Sequence, residues 1–136
     1  MDIMGVLAED NKQLTLIYNS ETSVGKQTLA YANASDKKLL SIDISKTKVT
    51  GTQWAEIASN LGVNIGDLVD EDHPNFVKNF GDKGAMLSSE DWIKILQHQP
   101  EVLKGCIVIN GKNRLVITNP SDLVKHLGIE GEDIPE

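Results

Sequence analysis

The side chains with most chemical potential lie in residues 18–29, where Tyr18-Asn19-Ser20-Glu21-Thr22-Ser23-Val24-Gly25-Lys26 runs from an apolar stretch into a helical one. A strand-to-helix turn of this kind offers unpaired backbone N–H groups at the helix start, and these favour an anion. A thiol enzyme would keep its nucleophilic cysteine in such a turn; here the hydroxyls of Thr22 and Ser23 and the ammonium of Lys26 occupy it. A hydroxyl approaches thiolate nucleophilicity at neutral pH only beside a general base, and the sequence supplies no local one. Thr and Ser are also preferred helix caps, so Thr22 and Ser23 have a reading that needs no ligand. Cys106, the sole cysteine, permits no intramolecular disulfide, no CxxC pair and no cysteine-rich zinc site. At a strand entrance it reads as packing, with a redox thiol forming mixed disulfides as the alternative. His73, His98 and His126 are widely separated and show no metal-ligand spacing, so no metal is expected.

Elements must position these groups, and the composition allows one ordinary globular domain over residues 1–136, with 40% hydrophobic and 24% charged residues. A formal net charge of -7 disfavours direct nucleic-acid binding and attraction to anionic membranes. Asp67, Asp70, Glu71 and Asp72 cluster mid-chain, and Glu130, Glu132, Asp133 and Glu136 crowd residues 129–136; both groups read as solubilising surface. No apolar run approaches the ~20 residues that span a bilayer. Met1-Asp2-Ile3-Met4-Gly5 has no basic segment leading into a long apolar one, so no signal peptide is readable and a cytoplasmic location is expected.

Residues 14–18 and 39–43 are short, apolar and rich in strand formers. Between them, Thr22 or Ser23 starts a helix reaching about residue 33, with Val24, Thr28, Leu29 and Ala32 as its inward stripe. Thr50 or Thr52 caps the next helix, where Trp54, Ile57, Ala58 and Leu61 recur at helical spacing and Gly62 gives the stop; Trp54 reads as a core anchor. Residues 63–80 are less regular and hold short helices that Asp72 or Asn75 caps. Ser88 and Asp91 form a capping-box pair ahead of Trp92, Ile95 and Leu96, and Pro100 follows that helix. Residues 106–110 and 114–117 flank Gly111-Lys112-Asn113 as a hairpin, and Asn119-Pro120 leads into a last helix through His126, closed by Gly128. The order βαβ, helices, ββα predicts an α/β, thioredoxin-like fold. Its mixed four-stranded sheet is flanked by helices, with residues 45–98 as a helical insertion and following helix.

Four pieces, in order, carry a family resemblance: Ile17-Tyr18-Asn19, Lys26-Gln27-Thr28-Leu29, Pro100-Glu101-Val102-Leu103-Lys104, and Ile107-Val108-Ile109-Asn110-Gly111-Lys112. Over residues 14–127 the chain resembles the glutaredoxin-linked arsenate reductase (ArsC) family and its relatives, the Spx regulators. The resemblance aligns that family's Asn-Pro-x-Cys-x-x-Ser-Arg turn with residues 19–26. Thr22 then stands at the nucleophile position and Lys26 at an arginine lacking here. Three further family arginines align with Asp70, Gly105 and Asn119, and a proline with Cys106. Each lost arginine removes a charge-assisted contact to the substrate anion worth about 1.5–3 kcal/mol. The resemblance therefore implies a catalytically degenerate relative, a binding or regulatory module without arsenate reductase activity, with Asn19, Thr22, Ser23, Lys26 and Asn119 as vestigial site positions. Two alternatives accompany it. One is a thiol-linked oxidoreductase using Cys106 with a depressed pKa and glutathione, the only cofactor any reading invokes. The other is an Spx-like factor that contacts RNA polymerase rather than DNA. A monomer with an unidentified protein partner is expected.

Overall fold

A computed structural model describes residues 13–35, 37–110 and 113–127. Gln13–Tyr18 forms β1, and every residue from Leu14 to Tyr18 is buried. Such a run, apolar on both faces, belongs at the centre of a sheet covered on each side. β1 pairs parallel with β2 (Lys38–Asp43) and antiparallel with β3 (Cys106–Asn110), which pairs antiparallel with β4 (Asn113–Ile117). The sheet order is β2-β1-β3-β4, the mixed four-stranded thioredoxin-like sheet expected from the element order. The parallel pair requires a crossover, and α1 (Ser23–Asn33) supplies it.

Alternation along β1 and β3 separates two cores. Leu14, Leu16, Tyr18, Cys106 and Val108 point to the face covered by α1 and α5 (Asp122–His126), where Ala32 and Leu123 meet them. Ile17, Ile107 and Ile109 point to the other face, covered by the inserted helices α2 (Gly51–Leu61), α3 (Pro74–Phe80) and α4 (Ser89–His98). Trp54 is 1% exposed in that second core, the anchor its spacing predicts. Truncating a buried Trp to Ala typically costs about 3–5 kcal/mol. Phe76 stacks on Trp92 with ring centroids 5.6 Å apart and planes at 7°, tying α3 to α4. The insertion is sewn to the chain entering β3 by Asp70 N–H to Val102 O (2.7 Å) and Lys104 N–H to Leu68 O (2.7 Å).

The helix starts follow side-chain chemistry. Thr50 and Gln53 form a reciprocal capping box on α2, and Gly62 ends that helix at φ 73°, a left-handed conformation that glycine adopts without a Cβ penalty. Ser88 and Asp91 form a second box on α4, with bonds of 2.9 and 3.2 Å. These hydrogen bonds hold the Asp91 carboxyl below its ordinary pKa.

Three details differ from expectation. His73, rather than Asp72 or Asn75, caps α3: its Nδ1 accepts the Asn75 N–H at 3.1 Å. Pro74 takes the first helical position, where its missing N–H matters least, so the cap falls one residue before it. On α1 the fully buried positions are Gly25, Thr28 and Ala32, while Val24 and Leu29 are half-buried. The helix start lies so close to β1 that a Cβ at Gly25 would strike the Asn19 carbonyl oxygen, which rotates the buried stripe toward the small residues. β4 begins one residue early, at Asn113. The hairpin residues Gly111 and Lys112, the Gly128 stop, residues 129–136 and residues 1–5 lie outside the described residues. Among the described residues, no helix is long and apolar enough to cross a membrane.

Candidate functional site

The turn between β1 and α1 is built on Asn19 and Thr22. Thr22 is the N-cap of α1, in extended backbone conformation. Its Oγ1 accepts the Gly25 N–H at 3.0 Å and donates to the Asn19 carbonyl at 2.9 Å, the carbonyl that also accepts the Thr22 N–H at 3.1 Å. The cap is therefore Thr22 and not Ser23, whose exposed Oγ instead accepts from Gln27 Nε2 at 2.9 Å. Asn19 is 2% exposed; its Oδ1 accepts the Glu21 N–H at 2.8 Å, while its Nδ2 is buried without a hydrogen-bond partner among the described residues. Lys26 is exposed on the first turn, with its backbone N–H on the Thr22 carbonyl at 3.0 Å. The Thr22 hydroxyl thus donates to an amide oxygen, which is no general base.

Cys106 opens β3 on the face covered by α1. It is 0% exposed, and its thiol donates to the Val24 carbonyl at 3.9 Å, beneath the same helix start. Thr28, also 0% exposed, donates its hydroxyl to that carbonyl at 2.6 Å. Burial pushes the Cys106 thiol above its ordinary pKa, and the Thr28 hydroxyl opposes this only partly. The redox reading needed an accessible thiol with a depressed pKa. The structure has neither, because β3 is an inner strand roofed by α1.

Asp70, Gly105 and Asn119 stand where the resemblance places arginines. Asp70 Oδ1 accepts the Asp72 N–H at 3.0 Å within the insertion. Gly105 has φ 70°, and a Cβ there would collide with the Ile117 carbonyl oxygen, so a side chain at this position is strained. Asn119 is exposed after β4 and accepts the Ser121 N–H and hydroxyl at 3.3 and 3.0 Å, an Asx turn leading into α5. The structure brings Asn19, Thr22 and Gly25 together and sets Cys106 under their helix. No hydrogen bond joins Asn119 to them among the described residues. Nor does any group of three or more His, Cys, Asp or Glu there suit a metal ion.

Sequence reasoning missed the polar knot that fixes the entrance of the turn. Asp43, at the end of β2, accepts at Oδ1 from Ser20 N–H (3.1 Å), Ser45 N–H (3.0 Å) and Ser45 Oγ (2.7 Å). Desolvation would raise its carboxyl pKa, but the hydrogen bonds from Ser20 and Ser45 prevail and hold it down to about 2. Tyr18, paired with Asp43 across the parallel ladder, has its pKa raised by burial and by the Asp43 charge, against a lowering bond from Ser41. The Asp43-Ile44-Ser45 spacing, with an acceptor two residues before a donor, was the available signal.

At the level of sequence, no protein-family model matches the chain and no curated protein matches it significantly. Solved structures do match in three dimensions. An arsenate reductase from Vibrio cholerae superposes with TM-score 0.69 at 17% identity, covering 87% of this chain and 98% of that one. This chain shares that structure's α/β thioredoxin-like fold. An arsenate reductase (ArsC) related protein from Brucella melitensis gives TM-score 0.64 at 12% identity, with 85% and 95% covered. At these identities the likeness speaks for the fold alone.

Proposed function

We propose that this chain is a catalytically degenerate relative of the arsenate reductases, acting as a binding or regulatory module rather than as a reductase. The observation that carries this reading is the Thr22 hydroxyl. At the position the resemblance assigns to the nucleophile, it donates to one backbone group and accepts from another of its own helix cap. The buried Cys106 supports the reading, since no other thiol exists to replace the missing one. The positions aligned with arginines support it too, being acidic at Asp70, without a side chain at Gly105 and engaged with Ser121 at Asn119. A reductase needs both a thiolate and an anion clamp, and such a site would lack each.

The test is thiol-dependent arsenate reduction with glutathione and glutaredoxin supplied. The wild type is expected to match the protein-free rate, with Thr22→Ala indistinguishable from it. Thr22→Cys is expected to gain a reagent-accessible thiol but no arsenate turnover. Robust reduction by the wild type that Thr22→Ala abolishes would overturn the proposal.

A further inference from the structure

Away from the turn, a cavity of about 320 Å³ lies in the insertion, at the lower end of the range for small-molecule sites. Asp91, Lys94, Ile95 and His98 of α4, at helical spacing i, i+3, i+4, i+7, form one wall; Phe80 and Leu87 add apolar surface. Ile95 belongs to the second core and Phe80 and Leu87 pack against it, so the apolar part of the lining is anchored. The Gln99 amide oxygen is enclosed by protein and offers the cavity no acceptor. Selection therefore falls to the charged side chains.

Asp91 Oδ2 accepts the Ser88 N–H in the capping box, and its carboxyl is ionised at neutral pH. The exposed Lys94 lies near enough to favour that ionised form, yet the two form no ion pair among the described residues. His98 Nδ1 donates to the Lys94 carbonyl at 2.8 Å, so the neutral ring keeps Nε2 as an acceptor. One negative and one positive charge thus stand a helical turn apart beside apolar surface. A simple acid would meet Lys94 but be opposed by Asp91, and a simple amine would meet Asp91 but be opposed by Lys94. A zwitterion meets an opposite charge at each.

We propose that this cavity binds a free α-amino acid with an apolar side chain. The ammonium group meets the Asp91 carboxylate, the carboxylate meets Lys94, and the side chain packs on Phe80, Leu87 and Ile95. This site is separate from the Thr22 turn and does not rest on the degenerate-reductase reading.

The test is an amide NMR titration of the full chain at neutral pH with L-phenylalanine, 2-phenylethylamine, 3-phenylpropionate and glycine. The first three share one apolar body and differ in their charged groups; glycine is the zwitterion without the body. Phenylalanine is expected to give saturable shifts at Leu87, Lys94 and Ile95. It should bind at least about three-fold more tightly than each other probe, the scale of one partly exposed ion pair. Lys94→Gln is expected to abolish its advantage over the amine. Asp91→Asn, which keeps an oxygen for the Ser88 N–H, is expected to abolish its advantage over 3-phenylpropionate. The comparison among probes on the wild type stands even if a variant folds poorly. Absence of saturable shifts from phenylalanine at about 10 mM, or an affinity for any other probe within about three-fold of it, would overturn the proposal.

Discussion

Replacing Asp43 by Asn tests whether the knot at the end of β2 holds the turn electrostatically. In the folded protein the Asp43 carboxyl is held at about 2 against an ordinary 3.8. Linkage converts that difference into about 2.4 kcal/mol before screening, and solvent reaches this partly exposed carboxylate, which reduces the expected contribution to about 1 kcal/mol. The folded pKa is depressed, so the stabilisation is complete above the unfolded value near 4 and is lost as pH falls toward 2. Urea unfolding of wild type and Asp43→Asn at pH 7, 5, 3 and 2.5 reads this directly. Wild type should lead by about 1 kcal/mol at pH 7 and 5, and most of that lead should disappear by pH 2.5. A carboxyl-carbon NMR titration of Asp43 should show a midpoint depressed below the ordinary 3.8. A stability difference that stays constant from pH 5 to 2.5, or a midpoint at or above 3.8, would refute the reasoning.

Two other outcomes follow from the same geometry. Cys106 should react with a bulky thiol reagent in the folded protein at least about a hundred-fold more slowly than in denaturant, since attack requires opening of the α1 roof; equal rates would contradict its burial. Gly105→Ala should destabilise by about 2–4 kcal/mol, from left-handed strain plus collision with the Ile117 carbonyl, whereas Gly62→Ala, with open space around its Cβ, should lose only about 1 kcal/mol. Thermal melts compare the two, and equal losses would show that the collision at Gly105 is relieved.

Much of the site was legible because the relevant interactions are local. Thr22 and Gly25 are three residues apart, as are Ser88 and Asp91 and Thr50 and Gln53, so spacing along the chain marked the Ser88 start and narrowed the other two to Thr22 or Ser23 and Thr50 or Thr52. The His73 cap was missed although it is equally local, because imidazole is not among the usual capping groups. The knot of Ser20, Asp43 and Ser45 was hidden for a different reason: its central bond joins residues 23 apart and exists only once β1 and β2 lie parallel.

By itself, the sequence determined the alternation of strands and helices, the capped helix starts and the absence of a thiol at Thr22, because propensity, periodicity and residue identity are properties of short segments. Tertiary structure alone decided what the remaining thiol can do. Cys106 could have stood on an open edge or in a core, and only the placing of β3 inside the sheet beneath α1 buried it and raised its pKa. It likewise decided that a Cβ at Gly105 would collide with the Ile117 carbonyl and that Gln99 lines a cavity with Phe80 and Leu87. Each of those depends on backbones and helices far apart in the chain meeting at distances no local pattern encodes.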